Sequence, residues 1–180
     1  MSKDVPTRGL TIVYTGKGKG KTTAAFGLAL RMLGHGRKVL VLQFIKGPLE
    51  SGERKSAERL APDLVVRTLG AGYVCVGGAK PTEQDRKLAD EAWKTACESV
   101  ARGGYDAVIL DELNVMTSLG LIAVDDVLTM MQTRPKDVTL VLTGRDADER
   151  ICRAADIVTD MQCVRHIHQA GRADIEGIDH

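Results

Sequence analysis

The sequence predicts a single α/β domain, in which a mostly parallel central sheet has helices on both faces. Strand-like and helix-like segments alternate along the chain with short connections, as in parallel sheets crossed by helices. Residues 38–44 form an apolar run without alternation, which is typical of a strand buried on both faces. The length of 180 residues suits one domain. We therefore expect a short flexible segment at 1–8 and one nucleotide-binding domain over 9–180.

Composition excludes several classes of function. The chain is 43% hydrophobic and 27% charged with a net charge of +1, which gives no sign of general affinity for nucleic acid or membranes. No segment has the length of a membrane span or the apolar centre of a signal peptide, so we expect a cytoplasmic protein. The four cysteines lack the Cys-x-x-Cys spacing of a zinc site, and reduced, mostly buried thiols are expected.

Periodicity and capping residues place the remaining elements. Thr82 is a suitable N-cap for a long helix, which should end at the glycine pair Gly103 and Gly104. Trp93 lies on the apolar face of this helix and is expected in the core. The predicted strands are 10–14, 38–44, 64–69, 107–110 and 138–142, and 155–159 with 163–168 are expected to close the sheet. The predicted helices are 22–33, ending near residues 34–36, then 52–60, 82–101, 124–132 and one through Ile151.

Residues 15–23 carry the strongest motif in the chain, Thr-Gly-Lys-Gly-Lys-Gly-Lys-Thr-Thr. The motif lies between a predicted strand and a predicted helix, which is the context of a phosphate-binding loop. Glycines let backbone N–H groups converge on phosphate oxygens at the positive end of the helix dipole. Lys21 would contact the outer phosphates and Thr22 would bind Mg²⁺. A solvated turn is the alternative, but it does not require Gly-Lys-Thr at a helix start. The motif specifies the fold class as a P-loop (RecA-like) fold.

This loop is one residue shorter than the usual G-x-x-x-x-G-K-T pattern, because only three residues separate Gly16 from Gly20. Lys17 and Lys19 add two positive charges to that of Lys21. Three cations at one pocket suit a whole polyphosphate, although Lys17 and Lys19 could instead point into solvent.

Charged residues also follow two of the predicted strands. Asp111 and Glu112 end the apolar run 107–110, so they should lie at the carboxyl edge of the sheet beside the phosphate loop. There they could bind Mg²⁺. Arg145 follows another strand and could bind phosphate or ribose oxygens. A solvated turn for the acids and a surface salt bridge for Arg145 are the alternatives. His166 and His168 could share a metal, but a zinc site needs more ligands, so ordinary histidines are expected.

With these motifs combined, the sequence resembles the ATP:corrinoid adenosyltransferases of cobalamin biosynthesis, a family with a shortened phosphate loop. The resemblance covers nearly the whole chain from residue 10 onward. It rests on residues 14–27 (the loop with Ala-Ala-Phe-Gly after it), 43–47 (Gln-Phe-Ile-Lys-Gly), 52–54 (Gly-Glu-Arg), 110–113 (Leu-Asp-Glu-Leu), 143–145 (Thr-Gly-Arg) and 177–179 (Gly-Ile-Asp).

The resemblance implies transfer of the 5′-deoxyadenosyl group of ATP to the Co(I) ion of a corrinoid, with release of triphosphate, in adenosylcobalamin biosynthesis or salvage. It also implies that ATP lies reversed, with its γ-phosphate where other P-loop enzymes hold the α-phosphate. Co(I) is a strong nucleophile, so the enzyme needs no serine, cysteine or general base. Further implications are Mg²⁺ or Mn²⁺ as cofactor, a homodimer, and a flavoprotein that reduces the corrinoid.

The resemblance also assigns residues. The implied catalytic residues are Lys21, Thr22 and Glu112. The implied metal ligands are Thr22 and Glu112, and Asp111 stays a third candidate because of its position at the end of the predicted strand. The implied nucleotide ligands are Gly16, Lys17, Gly18, Lys19, Gly20, Lys21, Thr22, Thr23, Arg31 and Arg145. Tyr73 and Cys75 are the implied corrinoid contacts, at a place where some family members have Phe-x-Trp. The segment before the first strand is shorter than in members whose N-terminal helix covers the corrinoid, so we expect that lid to be absent or reduced.

Two other functions remain open at this point. An ordinary P-loop NTPase or small-molecule phosphotransferase would act at the γ-phosphate of ATP, with Glu112 orienting water. A nucleotide-sensing module would bind without turnover. The reaction product distinguishes all three.

Overall fold

The computed structural model describes residues 8–47, 51–70, 72, 80–166 and 175–178. In this part of the chain, strands and helices alternate as the sequence predicts. The elements are β1 (Thr11–Thr15), α1 (Lys21–Leu33), β2 (Val39–Gln43), α2 (Gly52–Arg59), β3 (Leu64–Thr68), α3 (Glu83–Arg102), β4 (Ala107–Asp111), α4 (Leu113–Ser118), α5 (Val124–Thr133), β5 (Thr139–Thr143), α6 (Glu149–Ala154) and β6 (Ile157–Asp160).

The six strands form one all-parallel sheet in the order β3-β2-β4-β5-β1-β6. Its register aligns the carboxyl ends of the central strands, because Gln43 of β2 is opposite Asp111 of β4, and Tyr14 of β1 is opposite Thr143 of β5. β5 separates β1, which leads into the phosphate-binding motif, from β4, which ends in the acids. All three strands therefore deliver polar residues to one edge of the sheet, and the predicted α/β, single-domain P-loop-like fold is confirmed.

Helices cover both faces of the sheet and bury two apolar layers. One layer contains α3, α4, α5 and α6 packed on strand residues such as Leu40 and Leu110. The other contains α1 and α2, where Ala25, Ala29 and Ala57 lie against alternate strand positions. Every residue of β2 and β4 is buried, because these central strands have helices above and below them.

The predicted ends of α3 are confirmed. Thr82 is the N-cap and forms a capping box with Asp85, and Gly103 follows the helix with φ 71°. Trp93 is half-buried against the core. At the end of α1, the left-handed glycine is Gly36, with φ 69°.

Three expectations were wrong in detail. The helix α4 was not predicted, because its six residues are too short for a clear period. Residues 163–166 are not a strand; instead β6 is the outer strand, and its four residues are exposed. Cys163 is exposed rather than buried. Cys97 and Cys152 are free thiols, whereas Cys75 lies outside the described residues. Among the described residues, no helix is long and apolar enough to cross a membrane.

Candidate active site

A cleft of ≈ 1190 Å³ opens at the carboxyl edge of the sheet, where the predicted site was expected. Its polar side is built from the loop before α1, together with Glu112 and Arg145. A second side carries Phe26 and Leu30 of α1 with Leu60 and Leu64. The cleft thus joins a charged region to an apolar wall.

Lys21, the first residue of α1, is held inside the loop that the sequence predicts to bind phosphate. Its Nζ donates to the carbonyl oxygens of Gly16 and Gly18, at 2.7 Å each, and only 6% of the residue is exposed. Burial lowers the pKa of the Lys21 ammonium from its ordinary value, against the opposing negative charge of Glu112. The loop therefore curls around its own lysine.

The glycines of this loop permit close contact with the chain that follows β6. The Gly18 N–H donates to the Met161 carbonyl at 2.6 Å. A Cβ on Gly18 would lie 2.6 Å from the Gln162 carbonyl oxygen, and one on Gly16 (φ 95°) would overlap Asp160. Residues 160–162 thus support the loop from outside, and the loop positions require glycine for that reason.

Asp111 is the centre of a buried polar network. Its carboxylate Oδ1 accepts from the hydroxyls of Thr22 (2.9 Å) and Thr143 (2.7 Å), and Oδ2 accepts from Gln43 Nε2 at 3.2 Å. Asp111 is 1% exposed. Its hydrogen bonds hold the Thr22 hydroxyl at the start of α1, while Glu112 rather than Asp111 lines the cleft.

Glu112 has an unusual backbone conformation. It lies in the left-handed region with φ 64° and ψ 18°, as the N-cap of α4, and its side chain does not cap that helix. Its N–H donates to Thr143 Oγ1 at 2.9 Å. Burial raises the pKa of the Glu112 carboxyl, and the neighbouring charge of Asp111 adds to this effect, whereas Lys21 and Arg145 oppose it. The left-handed turn therefore separates the two acids: Asp111 lies in the core, and Glu112 lines the cleft.

The structure places the other predicted residues as follows. Lys17, Lys19, Thr23 and Arg145 are exposed and line the cleft. Arg31 is exposed in the last turn of α1 and is not among the lining residues. Tyr73, Cys75 and His168 lie outside the described residues, and His166 is half-buried in the cleft wall.

Several residues of the site were not singled out in the sequence for a role. Lys46 and Glu53 line the cleft as an ion pair at 3.4 Å, although both fall within stretches that carry the resemblance. Asn114, immediately after the Asp-Glu-Leu run, is 0% exposed and donates from Nδ2 to the Gly144 carbonyl at 3.3 Å. The sequence signal for Asn114 was its position directly after Asp111-Glu112-Leu113. Only the fold shows that it is buried and that Gly144 is its partner.

Comparison with known proteins agrees with this geometry. The family model described as "ATP:corrinoid adenosyltransferase BtuR/CobO/CobP" matches residues 7–180. A corrinoid adenosyltransferase of Pseudomonas aeruginosa is 38% identical over 172 residues, which are 96% of this chain and 84% of the relative. That of Escherichia coli (strain K12) is 38% identical over 173 residues, 96% of this chain and 86% of the relative. Corrinoid adenosyltransferase CobA of Salmonella typhimurium is 36% identical with the same coverage. This chain therefore belongs to the ATP:corrinoid adenosyltransferase family.

Proposed function

We propose that this protein transfers the 5′-deoxyadenosyl group of ATP to the Co(I) ion of a corrinoid and releases triphosphate. The observation that carries the proposal is the convergence of Lys21, Thr22, Glu112 and Arg145 on one cleft, in a chain of this family. These groups are suited to bind a polyphosphate together with a divalent cation.

The phosphate-binding loop would hold the triphosphate. The loop backbone and the start of α1 offer N–H groups to phosphate oxygens, and Lys17 and Lys19 line the same region. Lys21 would exchange its bonds to the Gly16 and Gly18 carbonyls for bonds to phosphate oxygens. Arg145 would add a further cation. Together these contacts stabilise the charge that develops on the leaving triphosphate.

The oxygen donors in the cleft fit Mg²⁺. Among the described residues, no group of three or more His, Cys, Asp or Glu side chains forms a metal site. Mg²⁺ is usually held by one or two protein oxygens, with phosphates and water completing its shell. Thr22 and Glu112 would supply those oxygens, and Asp111 would orient the Thr22 hydroxyl through its 2.9 Å hydrogen bond. The bound ion would neutralise charge on the triphosphate.

The chemistry proceeds by displacement at the 5′ carbon. The Co(I) ion donates an electron pair to form the cobalt–carbon bond, and it becomes Co(III). The carbon–oxygen bond to the triphosphate breaks, and the triphosphate leaves with that electron pair. No proton is transferred, so the protein contributes alignment and charge stabilisation rather than a general base.

The size of the cleft is in keeping with two substrates. Pockets for one small ligand commonly measure about 300–1,000 Å³, and this cleft measures ≈ 1190 Å³. Its apolar wall suits an uncharged part of a substrate. Tyr73 and Cys75 remain the predicted corrinoid contacts and Arg31 a predicted nucleotide ligand. We further propose a homodimer in the cytoplasm, with a flavoprotein as the reductant.

The product of the reaction tests the proposal. Purified protein with ATP, Mg²⁺ and a chemically reduced corrinoid should yield inorganic triphosphate and a light-sensitive alkylated corrinoid in equal amounts. Phosphate analysis and the absorption spectrum before and after illumination measure both products. Release of γ-phosphate without an alkylated corrinoid would instead identify an NTPase.

A further inference from the structure

Two hydrogen bonds, from Glu112 to Thr143 and from Asn114 to Gly144, and the close approach of Gly144 to the start of α4 join the ends of β4 and β5. We call residues Glu112, Asn114, Thr143 and Gly144 the β4–β5 clasp. We propose that Asn114 and Thr143 are positioning residues, which hold Glu112 and Arg145 at the separation required by the nucleotide and its metal ion. This inference rests on the proposed function, because it concerns the same bound MgATP.

Thr143 joins three parts of the site through one hydroxyl group. It donates to Asp111 Oδ1 at 2.7 Å and accepts the Glu112 N–H at 2.9 Å. Thr143 is 0% exposed, so water does not compete for either bond. Glu112 has φ 64°, a conformation that residues other than glycine rarely adopt, and the bond to its N–H stabilises this turn. The carboxylate of Glu112 is thereby directed away from Asp111.

Asn114 fixes the other half of the clasp. Its Nδ2 donates to the carbonyl of Gly144, the residue before Arg145, at 3.3 Å. Gly144 has φ 128°, and a Cβ there would lie 3.0 Å from the Val115 nitrogen and 3.1 Å from the Asn114 Cβ. The backbone that carries Arg145 is therefore pressed against the first turn of α4, immediately after Glu112.

Stability alone does not explain an asparagine at this position. Asn114 is fully buried, yet its Oδ1 has no hydrogen-bond partner among the residues that the structure describes. Unpaired buried acceptors destabilise a protein, and a leucine of similar shape would fill the space without one, although it would leave the buried Gly144 carbonyl without this donor. The bond from Nδ2 to Gly144 is what leucine could not make. We therefore relate Asn114 to the placement of Arg145 rather than to the stability of the fold.

The two turns that the clasp joins carry opposite charges, Glu112 on one and Arg145 on the other. Both side chains line the cleft with Lys21. A small rotation of either turn would change which charges face the triphosphate, and the clasp couples the two turns.

The substitution Asn114→Leu tests the proposal. We expect kcat for adenosyl transfer to fall about 10- to 100-fold, as with other residues that orient metal or substrate ligands. The Mg²⁺ concentration for half-maximal activity and the Kd for MgATP should both rise, while the KM for the corrinoid should stay the same. The melting temperature of the ligand-free protein should change little, because losing the bond to Gly144 and removing the unpaired Asn114 acceptor have opposite effects on stability. Calorimetric titration with MgATP, without corrinoid, gives a readout that is independent of turnover.

Matched variants separate positioning from folding. Ser118→Ala removes an exposed hydrogen bond to the Val115 carbonyl in the same helix α4, and it should leave all these quantities unchanged. Thr143→Ser keeps the bridging hydroxyl and should retain MgATP affinity, whereas Thr143→Val should lose it. Wild-type kcat, Mg²⁺ dependence and MgATP affinity in Asn114→Leu would overturn the proposal, as would a large fall in its melting temperature. If wild-type protein does not transfer adenosyl groups, the proposed function fails, but MgATP binding still tests the clasp.

Discussion

At the scale of single residues, the site contains groups in conformations or environments that folding alone does not favour. The left-handed conformation of Glu112 is one example, since such strain is commonly of the order of 1–3 kcal/mol. Glycine would adopt this turn without strain. Burial of the Glu112 carboxyl, which raises its pKa, is a second unfavourable effect at the same residue. A carboxylate at this position, despite both unfavourable effects, is in keeping with the role of Mg²⁺ ligand that we propose for Glu112.

Glu112→Gln should therefore weaken the response to Mg²⁺ while preserving the fold. The amide has the shape of the carboxyl group but lacks its negative charge, so it is a poorer ligand for a hard cation. We expect the Mg²⁺ activation curve to shift to higher concentration, and circular dichroism to match wild type. An unchanged activation curve would remove Glu112 from the metal site.

Lys21→Ala should reduce the rate by about a hundredfold or more at saturating ATP, because in the proposed reaction it removes a preorganised cation that would face the leaving group. Lys87→Ala is the matched control, since it removes the same charge from an exposed position on α3. Steady-state rates of triphosphate release measure both variants. Near-normal turnover of Lys21→Ala would show that the triphosphate binds elsewhere.

At the scale of elements, the ends of the strands and the loops after them determine the site. The loop before α1 is one residue short, and it is supported by residues 160–162 at the end of β6 and directly after it. β4 ends in Asp111 inside the sheet, and the short helix α4 begins one residue after Glu112. The lengths of these connections therefore decide which side chains reach the cleft.

Asp106 gives an element-scale prediction with a defined pH dependence. It joins the start of β4 to the α1–β2 connection, because its carboxylate accepts from Arg37 Nη1 and from the Lys38 N–H, at 2.8 Å each. Burial alone would raise the pKa of Asp106, but these two partners outweigh it and lower the pKa from its ordinary value of 3.8. The ionised form is thus favoured by folding.

Asp106→Asn should accordingly lower the melting temperature at pH 7. The sign follows from linkage: a lowered folded-state pKa stabilises the protein above the unfolded pKa, and this stabilisation is lost as pH falls through the folded value. The difference between wild type and variant should therefore be constant at neutral pH and shrink below about pH 4. A difference that is independent of pH would assign the effect to lost hydrogen bonds alone.

At the scale of the whole molecule, topology collects the site from distant parts of the chain. Thr22 and Asp111 are 89 residues apart in sequence and share a hydrogen bond. The strand order places β5 between β1 and β4, so Thr143 at the end of β5 contacts Asp111 at the end of β4. Arg145, two residues later, lines the same cleft. The family comparison covers 96% of the chain, in keeping with a site that draws on nearly all of its length.

Much of this could be predicted from the sequence, because the responsible signals are local. The glycines and lysines of 15–23 specify a loop before a helix, and continuous apolar runs specify buried parallel strands. Thr82 and Gly103 mark the ends of α3 by their own chemistry. The placement of Glu112 and Arg145 at one edge follows from the rule that parallel strands end together.

Only the tertiary structure determined where individual side chains lie and which distant residues they contact, because local sequence patterns do not encode this. Asp111 and Glu112 are adjacent and chemically alike, yet one is buried among hydroxyl groups and the other lines the cleft, because a left-handed turn lies between them. The partner of Asn114 is 30 residues away, and the support of the phosphate loop by Met161 joins residues more than a hundred positions apart. Such contacts depend on strand order and register, which set distances between residues whose separation in sequence carries no such information.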